Sequence, residues 1–160
     1  MGIEFKYHGR CKMTEQQNKD AAIRFQQAWM AGDTQQALSF FADDAIWIAP
    51  NGVFEGRAQI EKYLTWVNGI VKNYNIAETG IGIVVQGDAV ITEHVLSGTI
   101  DGMEFESPAV CIDEFRSGKI VKSRTYFDRL AQSQQVARGM FAKWGVNAVV
   151  NGAQKGLSLT

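Results

Sequence analysis

Two side chains of this sequence stand where they could move protons, and a third would spoil the arrangement if it came too close. Asp128 closes the strand-like run "GKIVKSRTYFDRL", residues 118–130, directly after Tyr126 and Phe127. In an apolar pocket its charge would be disfavoured by desolvation, raising its pKa and suiting it to proton transfer near neutral pH. Asp128 also directly precedes "RLAQSQQ", and Asp is a favoured helix N-cap, so the alternative job is structural. His94 lies in "VITEHVL", where alternation sets Val90, Thr92, His94 and Leu96 on one strand face. On a concave face its imidazole would polarise a substrate or orient Asp128; facing outward it would be structural. Strict alternation along the last strand groups Arg124, Tyr126 and Asp128 and leaves Phe127 opposite, while a bulge near residue 126 would break the set. Were Arg124 in the pocket, its charge would lower the pKa of Asp128 and remove it as an acid at pH 7.

The elements that must position these groups can be read from pattern. Thr14 and Gln17 have capping-box spacing and open a helix whose stripe is Ala22, Phe25 and Trp29, ended by Gly32. Asp33 and Gln36 repeat the signal for a short second helix with Ala37, Leu38, Phe40 and Phe41 on its apolar side. "DAIWIAPNG" reads as a strand leaving through a Pro50-Asn51-Gly52 turn. Ile60, Tyr63, Leu64, Val67 and Val71 describe the buried face of a third helix. From about residue 74, runs rich in Val, Ile, Thr and Phe are separated by "QGD", "IDG" and "RSGK", which predicts four long antiparallel strands joined by hairpins. A closing helix carries Leu130, Ala137, Met140, Phe141 and Trp144 and stops at Gly145, and the tail from Val146 to Thr160 is expected to be loosely held. Helices followed by an antiparallel meander make an α+β protein, and a sheet curled round helices leaves a conical apolar cavity. Trp29, Trp47, Tyr63 and Trp66 either wall that cavity or fill the core.

Composition narrows the classes. At 160 residues the chain is expected to be a single domain, 1–160, with its core at about 14–144. Sixteen basic against seventeen acidic side chains provide no bulk charge for nucleic acid or an anionic membrane, and neither is expected as a partner. Cys11 and Cys111 form no CxxC or Cys/His cluster, so no metal site is expected; one bridge or two free thiols remain open. Charges interrupt every apolar run of "MGIEFKYHGRCKM" and no long apolar stretch follows, which points to a cytoplasmic protein.

The order of elements, with "FFADDAIWIAPNGVFEGRAQIEKYL" and "EFRSGKIVKSRTYFD", resembles the NTF2-like superfamily, and within it the SnoaL-like and limonene-epoxide-hydrolase-like proteins, over roughly residues 14–144. The resemblance implies an NTF2-like cone: a curved antiparallel sheet wrapped around N-terminal helices, with a C-terminal helix and homodimerisation through the outer sheet face. Limonene epoxide hydrolases would place an Arg and an Asp where this chain has His94 and Leu96, and a Tyr and an Asn at Ile46 and Ile48, so only Asp128 survives of that network. Ketosteroid isomerases would carry a base at Ala49, while Asp113 in "CIDEF" resembles their hydrogen-bond-donating aspartic acid. SnoaL-like cyclases use a pocket aspartate for an aldol closure, and Asp128 is the residue that resembles it. The resemblance therefore implies a cofactor-independent cyclase, isomerase or epoxide-opening enzyme acting on a hydrophobic polyketide- or terpenoid-like molecule. Asp128, His94 and Asp113 would be the catalytic candidates, with Trp29, Trp47, Tyr63, Trp66, Leu96 and Tyr126 around the substrate. Because this superfold hosts many chemistries, the competing reading is a non-catalytic ligand-binding or assembly module.

Overall fold

The computed structural model describes residues 14–155. Helix α1 spans Glu15–Met30, and its Thr14/Gln17 capping box forms in both directions. Its first turn is pinned to the turn at residues 87–88 of the sheet's edge hairpin, where Glu15 Oε1 accepts from the Gly87 amide at 2.7 Å. Helix α2, Thr34–Ser39, starts on Asp33, whose carboxylate accepts from the Gln36 amide. Phe41, expected on that helix, instead opens strand β1, Phe41–Ala49. A Pro50-Asn51 turn leads to β2, Gly52–Glu55, and α3, Gly56–Ile70, follows with Ile60, Tyr63, Leu64 and Val67 buried as their spacing requires.

The meander is present as expected: β3, Val71–Gln86; β4, Ala89–Ile100; β5, Met103–Arg116; and β6, Lys119–Phe127, each antiparallel to the next. Asp101-Gly102 and Ser117-Gly118 turn with positive φ at both residues, the conformation that two-residue hairpins need to match strand twist. The sheet is nevertheless mixed, in the order β2-β1-β6-β5-β4-β3, because β1 joins β6 in parallel. That pairing lays Trp47 beside Ser123 and brings the first and last strands together under α3.

Between Glu114/Phe115 on β5 and Lys122/Ile120 on β6 the register slips by one residue, leaving Val121 as a bulge. Ile120 points inward before it; Ser123 and Thr125 point inward after it. The expected parity of the last strand is thus reversed. Arg124, Tyr126 and Asp128 do share a side, as alternation predicts, but it is the outer one, and Phe127 faces inward.

The C-terminal segment is two helices rather than one. Helix α4, Arg129–Val136, ends where Ala137 adopts an extended backbone, and α5, Gly139–Ala153, runs on through Gly145. The core between α1, α3 and the sheet is an aromatic cluster in which Trp47 contacts Phe25, Trp29, Phe41 and Tyr63. Cys111 is a free thiol, and Cys11 lies outside the described residues.

Candidate functional site

The concave side of the sheet, α3 and α4 enclose a cavity of about 200 Å³. Its walls are mainly apolar, with Val67 and Ile70 from α3, Leu96 from β4, Phe105 from β5 and Val136 from α4, and α4 adds the neutral polar Gln132 and Ser133. Trp29 closes one side, and Tyr74, at the start of β3, has its hydroxyl pushed well above the usual tyrosine range by burial. Asn51, Tyr63, Trp66 and Arg129 border both this cavity and an adjoining groove of about 340 Å³ that also carries Phe54 and Lys62.

Three of those four residues form a polar mouth. Asn51 Nδ2 donates to the Tyr63 hydroxyl oxygen at 3.5 Å, which leaves the phenolic proton available to a ligand. Burial pushes Tyr63 up to about 12, offset in part by the Asn51 bond, so it remains a protonated donor at any physiological pH. Arg129 Nη1 donates to the Pro50 carbonyl at 3.0 Å and so ties the first turn of α4 to the turn that presents Asn51. The remaining guanidinium donors stay free to meet an anionic or carbonyl oxygen. Among the described residues that line the cavity there is no Asp, Glu or His.

At the wall of the cavity Thr125 begins a buried polar file. Trp47 Nε1 donates to Thr125 Oγ1 at 3.0 Å, Thr125 Oγ1 lies 3.4 Å from Cys111 Sγ, and Cys111 Sγ lies 3.9 Å from His94 Nε2. His94 Nδ1 is 3.2 Å from the Thr92 carbonyl, which can only accept, so Nδ1 carries the proton and Nε2 is left as an acceptor for the thiol. Burial lowers the His94 pKa and pushes Cys111 up to about 12, with the Asp113 charge adding to the thiol's shift. Cys111 is half-buried by surface area, yet its sulfur sits between Thr125 and His94 with no cation to stabilise a thiolate. A thiol and a neutral imidazole are therefore the resting pair, rather than the ion pair of a nucleophilic cysteine.

The sequence-predicted residues divide sharply. Trp29, Tyr63, Trp66 and Leu96 line the cavity. Trp47 does not: it is buried in the aromatic core, behind the lining residues Trp29, Tyr63 and Thr125 that it touches. Tyr126 is 53% exposed on the outer sheet face, turned there by the Val121 bulge. Asp128 is exposed, and its Oδ1 accepts from the Leu130 and Ala131 amides at 2.9 and 3.0 Å, so helix capping is the work its geometry performs. Arg124 pairs with Glu114 at 2.6 Å and not with Asp128.

His94 shares its face with Val90, Thr92 and Leu96, as alternation predicts, and that face is the inward one, but His94 borders a second cavity of about 200 Å³ between α1 and β3–β4, beside Thr92 and Glu78. It shares no hydrogen bond with Asp128. Asp113 is also inward and buried, opposite Ser123, where desolvation pushes it up to about 6 against the pull of Ser123 and Arg124, and it touches neither cavity. Sequence reasoning missed Asn51, Tyr74, Thr125 and Arg129. Asn51 carried only a turn signal, and Arg129 only its place after a capping Asp.

No curated protein matches the chain. Solved structures do. A protein of ketosteroid isomerase-like fold from Catenulispora acidiphila DSM 44928, in complex with trimethylamine, has a TM-score of 0.69 at 22% identity, over 78% of this chain and 96% of that one. A candidate polyketide cyclase from Silicibacter sp. TM1040 reaches 0.70 at 18% identity, covering 77% and 97%. An LEH-like epoxide hydrolase of M. tuberculosis reaches 0.66 at 21% identity, covering 79% and 94%. At these identities the likeness is one of fold, a curved sheet with helices across its concave side. The SnoaL-like domain model matches residues 22–123, from the middle of α1 to Ser123 in β6, and with more than half its length so matched the chain belongs to the SnoaL-like domain family.

Proposed function

We propose that this protein binds a small hydrophobic molecule, of one or two rings and of polyketide- or terpenoid-like character, that ends in an acidic or carbonyl oxygen. The observation that carries the reading is the grouping of Asn51, Tyr63 and Arg129 at a mouth of a mainly apolar cavity, whose other polar side chains are the neutral Thr125, Gln132, Ser133 and Tyr74. Buried pockets of this kind take affinity from apolar surface and orientation from a few convergent donors. At about 200 Å³ the space lies below that of drug-sized sites, which favours a compact ligand over a polycyclic one. Naphthoate and its methyl ester separate the two contributions. Quenching of tryptophan emission on titration should give naphthoate roughly tenfold tighter binding than the ester, because only the acid offers Arg129 a full charge. Equal affinity, or no binding of either, would contradict the reading.

A second reading is catalytic. Donors that hold a carboxylate would also hold an enolate, and the file from Thr125 through Cys111 to His94 ends on the cavity wall, which favours isomerase- or cyclase-like proton movement without Asp128. It predicts that deuterium at the carbon next to the carbonyl of a bound cyclic ketone exchanges with water, and that His94→Gln slows the exchange; no exchange above the solvent rate would dispose of it.

Homodimerisation through the outer sheet face also belongs to this account. Tyr126 stands there opposite Val110 in register, and Tyr126→Glu should convert a sedimenting dimer to a monomer. A wild-type monomer at micromolar concentration would end that idea.

A further inference from the structure

Helix α5 has no buried residue and meets the rest of the fold chiefly through α4. Met140, Phe141 and Trp144 are 83%, 89% and 73% exposed. At 100° per residue they share one arc of the helix with Ala148, while Val146 and Val150, both half-buried, lie on the opposite side. Three large apolar side chains standing together in water are costly, and such a patch marks a surface that something covers.

Charge identifies the cover. From Arg129 to Thr160 the chain carries four basic residues, Arg129, Arg138, Lys143 and Lys155, and no Asp or Glu. All seventeen acidic side chains, with twelve basic ones, fall in residues 1–128. The near-neutral total therefore conceals a cationic end on an acidic body. Within α5 the one charged side chain is Lys143, next to Trp144, and tryptophan is enriched where a chain meets the headgroup level of a membrane, with large apolar neighbours below it. No helix among the described residues is long and apolar enough to cross a membrane. A second copy packed α5 to α5 would bring two cationic helices together with no acid on either to pair with the other's Lys143, so the charge pattern suits an anionic surface better than a homotypic one.

We infer that α5 is an interfacial helix that seats Met140, Phe141 and Trp144 in an anionic lipid surface and draws on Lys143 for attraction. This does not depend on the ligand proposed for the cavity. Through α4, which walls the cavity on one side with Gln132, Ser133 and Val136 and carries α5 on another, such a seat would hold a binder of hydrophobic molecules at the phase where they collect.

Flotation of the full chain with vesicles tests it. Vesicles of phosphatidylcholine with about a third phosphatidylglycerol should bind roughly tenfold more protein than phosphatidylcholine alone, with the difference shrinking as salt rises. The Phe141→Ser/Trp144→Ser variant should lose binding to both. Lys143→Glu should weaken only the anionic preference. All three side chains are on the surface, so a circular dichroism melt should match wild type and exclude misfolding as the cause. Failure to float with anionic vesicles would overturn the inference, and so would undiminished binding by the double variant. A dimer that dissolves in the double variant, without vesicle binding by wild type, would assign the same face to a second copy and overturn it equally.

Discussion

The Trp47 indole donates to the Thr125 hydroxyl at 3.0 Å, and this bond joins the aromatic core to the wall of the cavity. An indole N–H can only donate, so it fixes Thr125 Oγ1 as an acceptor and leaves the Thr125 proton for Cys111 or for a ligand. Thr125→Val keeps the shape but strands the buried Trp47 N–H, which costs about 1–3 kcal/mol. Urea unfolding should show that loss, and Thr125→Ser should recover most of it. If Val proved as stable as Thr, the bond would be of no consequence to the fold.

Asp113 makes stability depend on pH in the sense opposite to most carboxylates. Its pKa rises from 3.8 to about 6 on folding, with one oxygen lacking a hydrogen-bond partner. The folded state thus binds the proton more tightly, so the contribution is complete below about pH 4 and is lost as pH rises through about 6. Asp113→Asn should stabilise the protein above pH 7 by up to about 3 kcal/mol, with the gain fading toward pH 4. Thermal melts of both proteins across that range decide it; a gain independent of pH would refute the linkage.

The Cys111 thiol, pushed up to about 12, should resist alkylation. In a Cys11→Ser background, iodoacetamide at pH 8 should modify the folded protein roughly a thousandfold more slowly than the unfolded chain, in proportion to the thiolate present. Mass spectrometry over a time course reads the rate. Rapid modification would mean that His94 and Cys111 form an ion pair after all.

Asp128 should matter to α4 and not to ligand affinity. Asp128→Ala removes the acceptor for the Leu130 and Ala131 amides and should cost about 1 kcal/mol, while Asp128→Asn, itself a good cap, should cost little. Both variants should bind naphthoate as wild type does. A large loss of affinity in Asp128→Asn would return the residue to the site.

What the sequence disclosed was whatever local chemistry controls. Thr14 with Gln17, Asp33 with Gln36, and the glycine turns at 102 and 118 each act within a few residues, and each stands where its pattern put it. The grouping of Val90, Thr92, His94 and Leu96 on one face of β4 followed from alternation alone, and the packing of α1 against β3 and β4 makes that face the inward one. The last strand did not, because the bulge at Val121 arises from its pairing with β5, and one extra residue turns Tyr126 and Asp128 out and Phe127 in. Arg129 and Asn51 were invisible for a related reason: 78 positions separate them, and the parallel β1–β6 pairing with the Arg129 bond to Pro50 brings their segments together. The aromatic residues could not be sorted between core and cavity by spacing, since Trp29 serves both and Trp47 only the first.

The central claim is that Tyr63 and Arg129 hold one oxygen of a bound hydrophobic molecule, and calorimetric titration of naphthoate tests it most directly. Relative to wild type, Tyr63→Phe should weaken binding roughly fivefold and Arg129→Gln roughly tenfold or more, while affinity for the methyl ester should hardly respond to Arg129→Gln. The combined variant should lose less than the product of the two, as expected of groups that share one ligand atom. Unchanged naphthoate affinity in both single variants, with unchanged melting temperature, would contradict the account.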